Sequence, residues 1–258
     1  IGTQTLIGHV VPRIELGTAV VPTYPRHPVA LAGQAITASV ASGGRFTLGI
    51  GLSHRLVIED MLGLSYAKPV RHLREYLAAL VPLLSGEGAD VVGETITAKA
   101  TISVPGAGPV PILVAALGPK MLALAGEQTS GTITWMTGPR TISEHIVPTI
   151  TAATEGAGVG APRVVAALPV AVTDDAPAVR ALAAKIFSIY GILPSYRAML
   201  DREGAAGPED VALIGTEAEV RAGVERIRDG GATDFVAVEF SRDPAVATAT
   251  RDVLRSLL

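Results

Sequence analysis

Two glycine–proline pairs, Gly118–Pro119 and Gly138–Pro139, each close a short apolar run and open a segment with helical spacing. Proline suits the first helical position, where the N–H it lacks would have no intrahelical acceptor. The amides that follow are unpaired and bind anions, and glycine lets a ligand come close to the backbone. Either pair alone reads as an ordinary helix start. Recurring on successive runs, they point to the phosphate of a cofactor.

A third glycine-bearing end, "GIGLSHR" (49–55), places Ser53, His54 and Arg55 after Gly49 and Gly51. The two glycines either make room for a flat ring or serve close packing between strands. Upstream, "VVPTYPRHP" (20–28) ends an apolar run with Pro22, Pro25 and Pro28, which bracket Tyr24, Arg26 and His27. Trp135, the single tryptophan, ends another run, where it either packs in a core or lines a pocket. The five histidines show no metal-binding spacing such as H-E-x-x-H, so no metal site is expected. Asp174 and Asp175 are adjacent, point apart, and read as a helix cap. Glu59–Asp60 reads as a solvated helix start. No G-x-S-x-G elbow and no P-loop occurs, and the catalytic residue is unknown from sequence.

These groups must be positioned by alternating strands and helices. Strands are predicted over 14–21, 45–52, 111–118, 131–138, 163–173 and 234–240. Helices are predicted over 28–44, 69–86, 119–128, 139–155 (kinked at Pro148), 174–191, 215–231 and 243–258. Short continuous apolar runs joined by crossover-length helices argue for a parallel sheet with helices outside. Six such units ending the chain predict an α/β fold, a TIM (β/α)8 barrel forming one domain over 1–258, with N-terminal residues of the barrel missing. The opening "IGTQTL" reads as the remnant of a first strand. In such a barrel the chemistry sits at the C-terminal ends of the strands, where the groups above fall. Two stretches break the rhythm. "VVGETITAKATISV" (91–104) alternates with period two and predicts an extra hairpin or edge strand. Residues 192–216 form an insertion with one short helix, of the kind that becomes a lid.

Composition narrows the function classes. Apolar residues make up 48% and charged residues 17%, which suits a large buried core. A net charge of −3 gives no basic footprint for nucleic acid. Without cysteine there is no disulfide, thiolate nucleophile or cysteine metal site. No apolar run approaches the roughly 18 residues of a membrane span, and no leader is visible. The expectation is a cytoplasmic protein acting on a small-molecule substrate, with neither nucleic acid nor membrane as partner.

Four stretches, "IELGTAVVPTYPRHPVALA", "RFTLGIGLSH", "ILVAALGPKMLALAGEQTSGTITWMTG" and "GTEAEVRAGVERIRDGGATDFVAV", resemble the bacterial luciferase-like monooxygenase superfamily. Within it the chain is similar to the coenzyme F420-dependent oxidoreductases. The resemblance implies a luciferase-like barrel with a flavin-like ring at its C-terminal mouth. It implies a non-proline cis peptide at Ala19–Val20 backing that ring, with Gly51 and Ser53 at the same mouth. It places the cofactor phosphate on the backbone of Ala116, Leu117 and Gly118, approached by Thr137 and Gly138. Tyr24, Arg26 and His27 become rim residues, Arg26 in structural pairs. The residue that relatives carry at the end of a second strand has no counterpart here. The implied function is hydride transfer between F420 and an organic substrate, by a homodimer. The alternatives are an FMN-dependent monooxygenase using reduced flavin and O2, and a non-catalytic flavin-binding barrel.

Overall fold

Strands and helices alternate along the chain much as its apolar runs dictate. The computed structural model describes residues Ile1–Leu258. They divide into two compact units, Ile1–Ala116 with Leu124–Gly131, and Leu117–Ala123 with Thr132–Leu258.

The first unit contains α1 (Gly2–Val10), β1 (Leu16–Gly17), β2 (Val21–Pro22), α2 (Pro28–Ala41), β3 (Phe46–Gly51), α3 (Pro69–Leu84), β4 (Gly88–Val92), β5 (Thr97–Thr101) and β6 (Ile112–Ala115). Strand β3 is its centre, buried at all six positions, as a strand covered on both faces must be. β1 pairs with its start (Leu16 beside Phe46) and β2 with its end (Val21 beside Ile50). β6 pairs with it as well (Leu48 beside Ile112), and all three ladders are parallel. The strand predicted over 14–21 is therefore present but interrupted, and the interruption holds the cis peptide Ala19–Val20.

Helix α3 buries Leu73, Leu77, Leu80 and Leu84 on the face that their spacing predicts. Each fully buried leucine contributes about 1.5–3 kcal/mol of transfer free energy. β4 and β5 form the antiparallel hairpin that the period-two pattern predicts, with Ala89 and Ala98 buried.

The opening "IGTQTL" departs from expectation. It lies in α1, with Thr5 N donating to Ile1 O and Val11 N to Ile7 O. A short apolar run cannot by itself distinguish strand from helix. At Gly8 a Cβ would stand 2.7 Å from Ser42 Cβ, so α1 lies close against the end of α2.

Helix α4 (Pro119–Gln128) begins in the second unit and ends in the first, and the second unit continues with β7 (Gly131–Trp135, all but its first residue), α5 (Pro139–Thr141) and α6 (Val147–Ala157). Then come β8 (Arg163–Val172), α7 (Ala176–Ile186), α8 (Ser188–Ile192) and α9 (Pro194–Glu203). It ends with β9 (Leu213–Gly215), α10 (Glu217–Asp229), β10 (Asp234–Glu239) and α11 (Pro244–Arg255). β8 is central, with β10 along Val165–Val170 and β9 along Val170–Val172, both parallel, and β7 as a further neighbour. The expected kink at Pro148 takes the form of a π-helical turn, Ile142–Ile146, just before it. Proline has no N–H for the preceding turn, and a widened turn absorbs the mismatch. Helix starts here carry side-chain caps, of which the sequence suggests that at Asp175. Asp175 accepts from Ala178 N, Asp243 accepts from Ala245 N, and Thr216 with Glu219 forms a capping box. The insertion 192–216 holds α9 and, unforeseen, the short strand β9. No helix is long and apolar enough to cross a membrane.

Candidate functional site

In the first unit the candidate residues gather at the C-terminal ends of β2 and β3. Between β1 and β2 the chain bulges away from β3, and Thr18 bridges the gap. Its Oγ1 donates to Gly49 O at 2.8 Å and accepts from Gly49 N at 3.0 Å. A Cβ on Gly49 would run into the Thr18 carbonyl. One on Gly51 would lie 2.8 Å from Val20 Cγ2 and 3.1 Å from Ala115 Cβ. Both glycines thus serve packing: they make the floor on which the bulge rests. At its crest Ala19 is exposed and Val20 half-buried.

The proline loop that follows is built inward. Thr23 is buried, its N–H donates to Gly51 O at 2.9 Å, and its Oγ1 meets His72 Nε2 at 3.1 Å. Tyr24 stacks on His72, centroids 3.9 Å apart and planes 5° from parallel, and leans on Tyr66 at 5.2 Å. The expectation of a rim residue at Tyr24 is corrected. Its Oη is buried without a partner. Burial, with Tyr66 beside it, pushes the phenol up to about 12. Burial likewise holds His72 below the usual imidazole value, only partly opposed by Glu75.

Arg26 is exposed, and the loop uses its carbonyl, which accepts from Tyr76 Oη at 2.9 Å. The structural pairs expected of its side chain give way to this backbone contact. His27 caps α2: Nδ1 accepts from Val29 N at 3.3 Å, and Nε2 reaches Thr97 O in the hairpin at 2.9 Å. The tautomer that satisfies both carries its proton on Nε2.

Ser53 adopts a positive φ of 61°, and its carbonyl accepts from Tyr66 Oη at 3.2 Å. Burial lowers the pKa of neighbouring His54. Glu59, in a π-helical turn Leu56–Met61, pairs with Arg55 at 3.0 Å and accepts from Tyr66 N at 3.1 Å. It fastens this loop, where sequence had suggested a solvated helix start. Ala116 is buried just past β6.

In the second unit the two glycine–proline starts differ. Leu117 and Gly118 are half-buried. The Leu117 carbonyl meets His145 Nε2 at 2.8 Å, and Gly118 O accepts from Met121 N and Leu122 N as α4 begins. A Cβ on Gly118 would meet nothing within 4 Å. At Gly138 the space is taken: a Cβ would collide with the Glu203 carboxylate. That carboxylate accepts from Arg140 N at 3.2 Å and Thr141 N at 2.7 Å. Thr137 is buried, its Oγ1 donating to Trp135 O at 3.2 Å. Trp135 is half-buried, and its Nε1 has no hydrogen-bond partner.

Sequence reasoning missed His145 and Glu203. Neither carries a local signal, because each acts on backbone some 28 or 62 positions away. No group of histidine and carboxylate side chains is placed to hold a metal ion. A cavity of about 330 Å3 opens beside Pro139, Arg180, Glu203, Ile214, Glu219 and Arg226. Arg180 spans part of it, donating to Glu209 O and Ile214 O.

Comparison with known proteins identifies the family and the fold. The family model described as luciferase-like monooxygenase matches residues 5–234. The chain is 34% identical over 131 residues to 5,10-methylenetetrahydromethanopterin reductase of Methanolobus tindarius, covering 51% of this chain and 40% of that protein. It is 34% identical over 145 residues to a Mycobacterium tuberculosis protein provisionally named coenzyme F420-dependent oxidoreductase, covering 50% of this chain and 41% of the relative. The chain spans about half the length of the curated relatives it matches, 36% to 61%. Its fold is similar to that of the coenzyme F420-dependent tetrahydromethanopterin reductase of Methanopyrus kandleri. The TM-score is 0.78 at 22% identity, over 96% of this chain and 84% of that one. The likeness shows the luciferase-like, TIM-barrel type of α/β fold.

Proposed function

The chain belongs to the luciferase-like monooxygenase family, and from that premise we propose that it is an F420-dependent oxidoreductase moving a hydride between the deazaflavin and an organic small molecule. One observation carries the reading. The Thr18–Val20 bulge is locked onto Gly49 and Gly51 and presents Ala19 and Val20 as a fixed, largely apolar crest. Such a crest suits one face of a flat ring. Gly51 acts by supporting Val20, and Ser53 stands at the same strand end.

The residues present fit a cofactor phosphate at one of the two helix starts. Leu117 and Gly118 open α4 with free space around Gly118, so an anion can reach the backbone. Buried Ala116 precedes them in sequence. The Thr137–Gly138 end enters only as a neighbour, because Glu203 already holds the amides of Arg140 and Thr141. The choice of F420 over FMN draws on the relatives named for F420-dependent chemistry.

F420, when bound, supplies the carbon that gives or takes the hydride. The chain's part is to bind, orient and exclude water. The crest of Ala19 and Val20 shields one ring face. Tyr24 is a neutral phenol at ordinary pH, a state that burial only reinforces, and so is a hydrogen-bond donor and not a base. The reading carries with it a small-molecule substrate, a homodimer and a cytoplasmic location.

Titration with F420 and with FMN tests it. We expect saturable F420 binding at micromolar concentration or tighter, weaker FMN binding, and bleaching or recovery of F420 absorbance with some member of a carbonyl, imine and alcohol panel. Failure to bind F420 at saturation overturns the reading. Binding without any transfer supports the non-catalytic alternative, and tight FMN binding with oxygen uptake supports the monooxygenase.

A further inference from the structure

A chain with only 4% aromatic residues gathers five of them in its second unit. Trp135 ends β7, Phe187 is the junction between α7 and α8, and Tyr190 lies within α8. Tyr196 lies on α9, and Phe240 follows β10. The rings touch in sequence: Phe240 to Phe187 at 5.0 Å, Phe187 to Trp135 at 5.9 Å, Trp135 to Tyr190 at 6.2 Å, and Tyr190 to Tyr196 at 4.8 Å. All five are half-buried, so the cluster is neither core nor free surface. On one side Phe187 packs against the buried core of Ala171, Ala183, Ala212 and Ile214. Around it on α7 and α8, Ile186, Ile189 and Ile192 are exposed.

Within this cluster Trp135 Nε1 is buried and has no acceptor. The indole nitrogen is a donor only, and a buried donor left unpaired is costly. The rings of Phe187 and Tyr190 stand nearly edge-on to the indole, at 77° and 72°. A ring offers an N–H at best a weak contact, which a carbonyl oxygen or ring nitrogen would better. The cluster's own side chains are uncharged, the two tyrosines being neutral phenols, and burial pushes Tyr196 further from ionisation. Its lining therefore favours a neutral ligand. Helix α8 is only five residues long, and none of them is buried.

We propose that the cluster is a binding subsite for a neutral, planar organic molecule bearing a hydrogen-bond acceptor, which takes the Trp135 Nε1–H while the Phe187–Ile192 segment yields to admit the ring. As a statement about substrate it rests on the oxidoreductase reading. As a statement about binding it does not.

Because Trp135 is the only tryptophan, the intact protein reports on the site through its own emission. Acetophenone serves as a ring with an acceptor, and ethylbenzene as a similar ring without one. We expect acetophenone to bind saturably by calorimetry and to shift the tryptophan emission of the wild type. Trp135→Phe, which keeps a ring and loses the donor, should weaken acetophenone about fivefold. It should leave ethylbenzene, the weaker ligand, unchanged. Phe187→Ala should weaken both. No saturable acetophenone binding, or equal affinity in wild type and Trp135→Phe, overturns the proposal. F420 titration of the same proteins separates the two readings: intact F420 binding with no acetophenone binding removes the subsite alone.

Discussion

Glu203 accepts the backbone N–H of Thr141 at 2.7 Å although the two lie 62 positions apart. It accepts that of Arg140 as well, at 3.2 Å. A negative charge at a helix start satisfies unpaired amides and complements the helix dipole. The anion that the Gly138–Pro139 pair invites is thus one the chain supplies itself. Glu203→Ala should lower stability by about 1 kcal/mol, the cost of a lost cap, read from the urea midpoint. Glu203→Gln, which keeps an acceptor oxygen, should lose less. Unaltered midpoints in both would show that the contact contributes nothing.

Gly49 and Gly51 differ in how much a methyl group would disturb. At Gly49 it meets backbone, the Thr18 carbonyl; at Gly51 it meets side chains, Val20 and Ala115. Backbone yields less readily than side chains. Gly49→Ala should cost about 3 kcal/mol or more, near the upper end for overpacking, and Gly51→Ala about half of that. The two thermal unfolding curves compared with wild type give the order, and the reverse order would contradict the packing described.

Gly118→Ala makes the complementary case. Its Cβ would stand in open space, so stability should change by no more than about 0.5 kcal/mol. F420 affinity should nonetheless fall, because a methyl group keeps a phosphate from the backbone. Undiminished F420 affinity in a well-folded variant would move the phosphate elsewhere.

The fold was largely legible because it is built from repeats of one device, the apolar run followed by a capped, amphipathic helix. Asp175 announces its helix by residue type alone. What escaped notice depends on neighbours distant in sequence. The strand 14–21 is interrupted because Thr18 bonds with its side chain where the backbone ladder would run. Glu203 is one exposed-looking acid among many until α9 is folded against α5. Tyr24 looks like a rim residue because nothing near it in sequence announces His72. Local pattern records what a residue prefers, and these residues answer to partners set by topology.

The stacked His72 leads us to expect a pH dependence of stability of one sign. Burial holds its folded pKa below the ordinary 6.5. The folded state therefore binds that proton more weakly than the unfolded chain does. Stability is fully present above about pH 6.5 and is lost as pH falls through that value toward the depressed one. Urea midpoints should be lower at pH 5.5 than at 7.5, and His72→Gln should flatten the difference while lowering stability at pH 7.5. An unchanged slope in the variant would assign the effect to another group, of which half-buried His54 is the first to try.

The β4–β5 ribbon grips the molecule from two sides. His27 at the head of α2 reaches Thr97 O, and the Glu75 carboxylate of α3 gathers the amides of Glu94, Thr95 and Ile96 at the ribbon's turn. It works as a splint strapped across a joint. The proline segment is braced on its outer side at His27, so shortening or swapping the ribbon would loosen Tyr24, three residues away. Variation in this appendage is thereby a means of retuning the strand mouth without altering a residue in it.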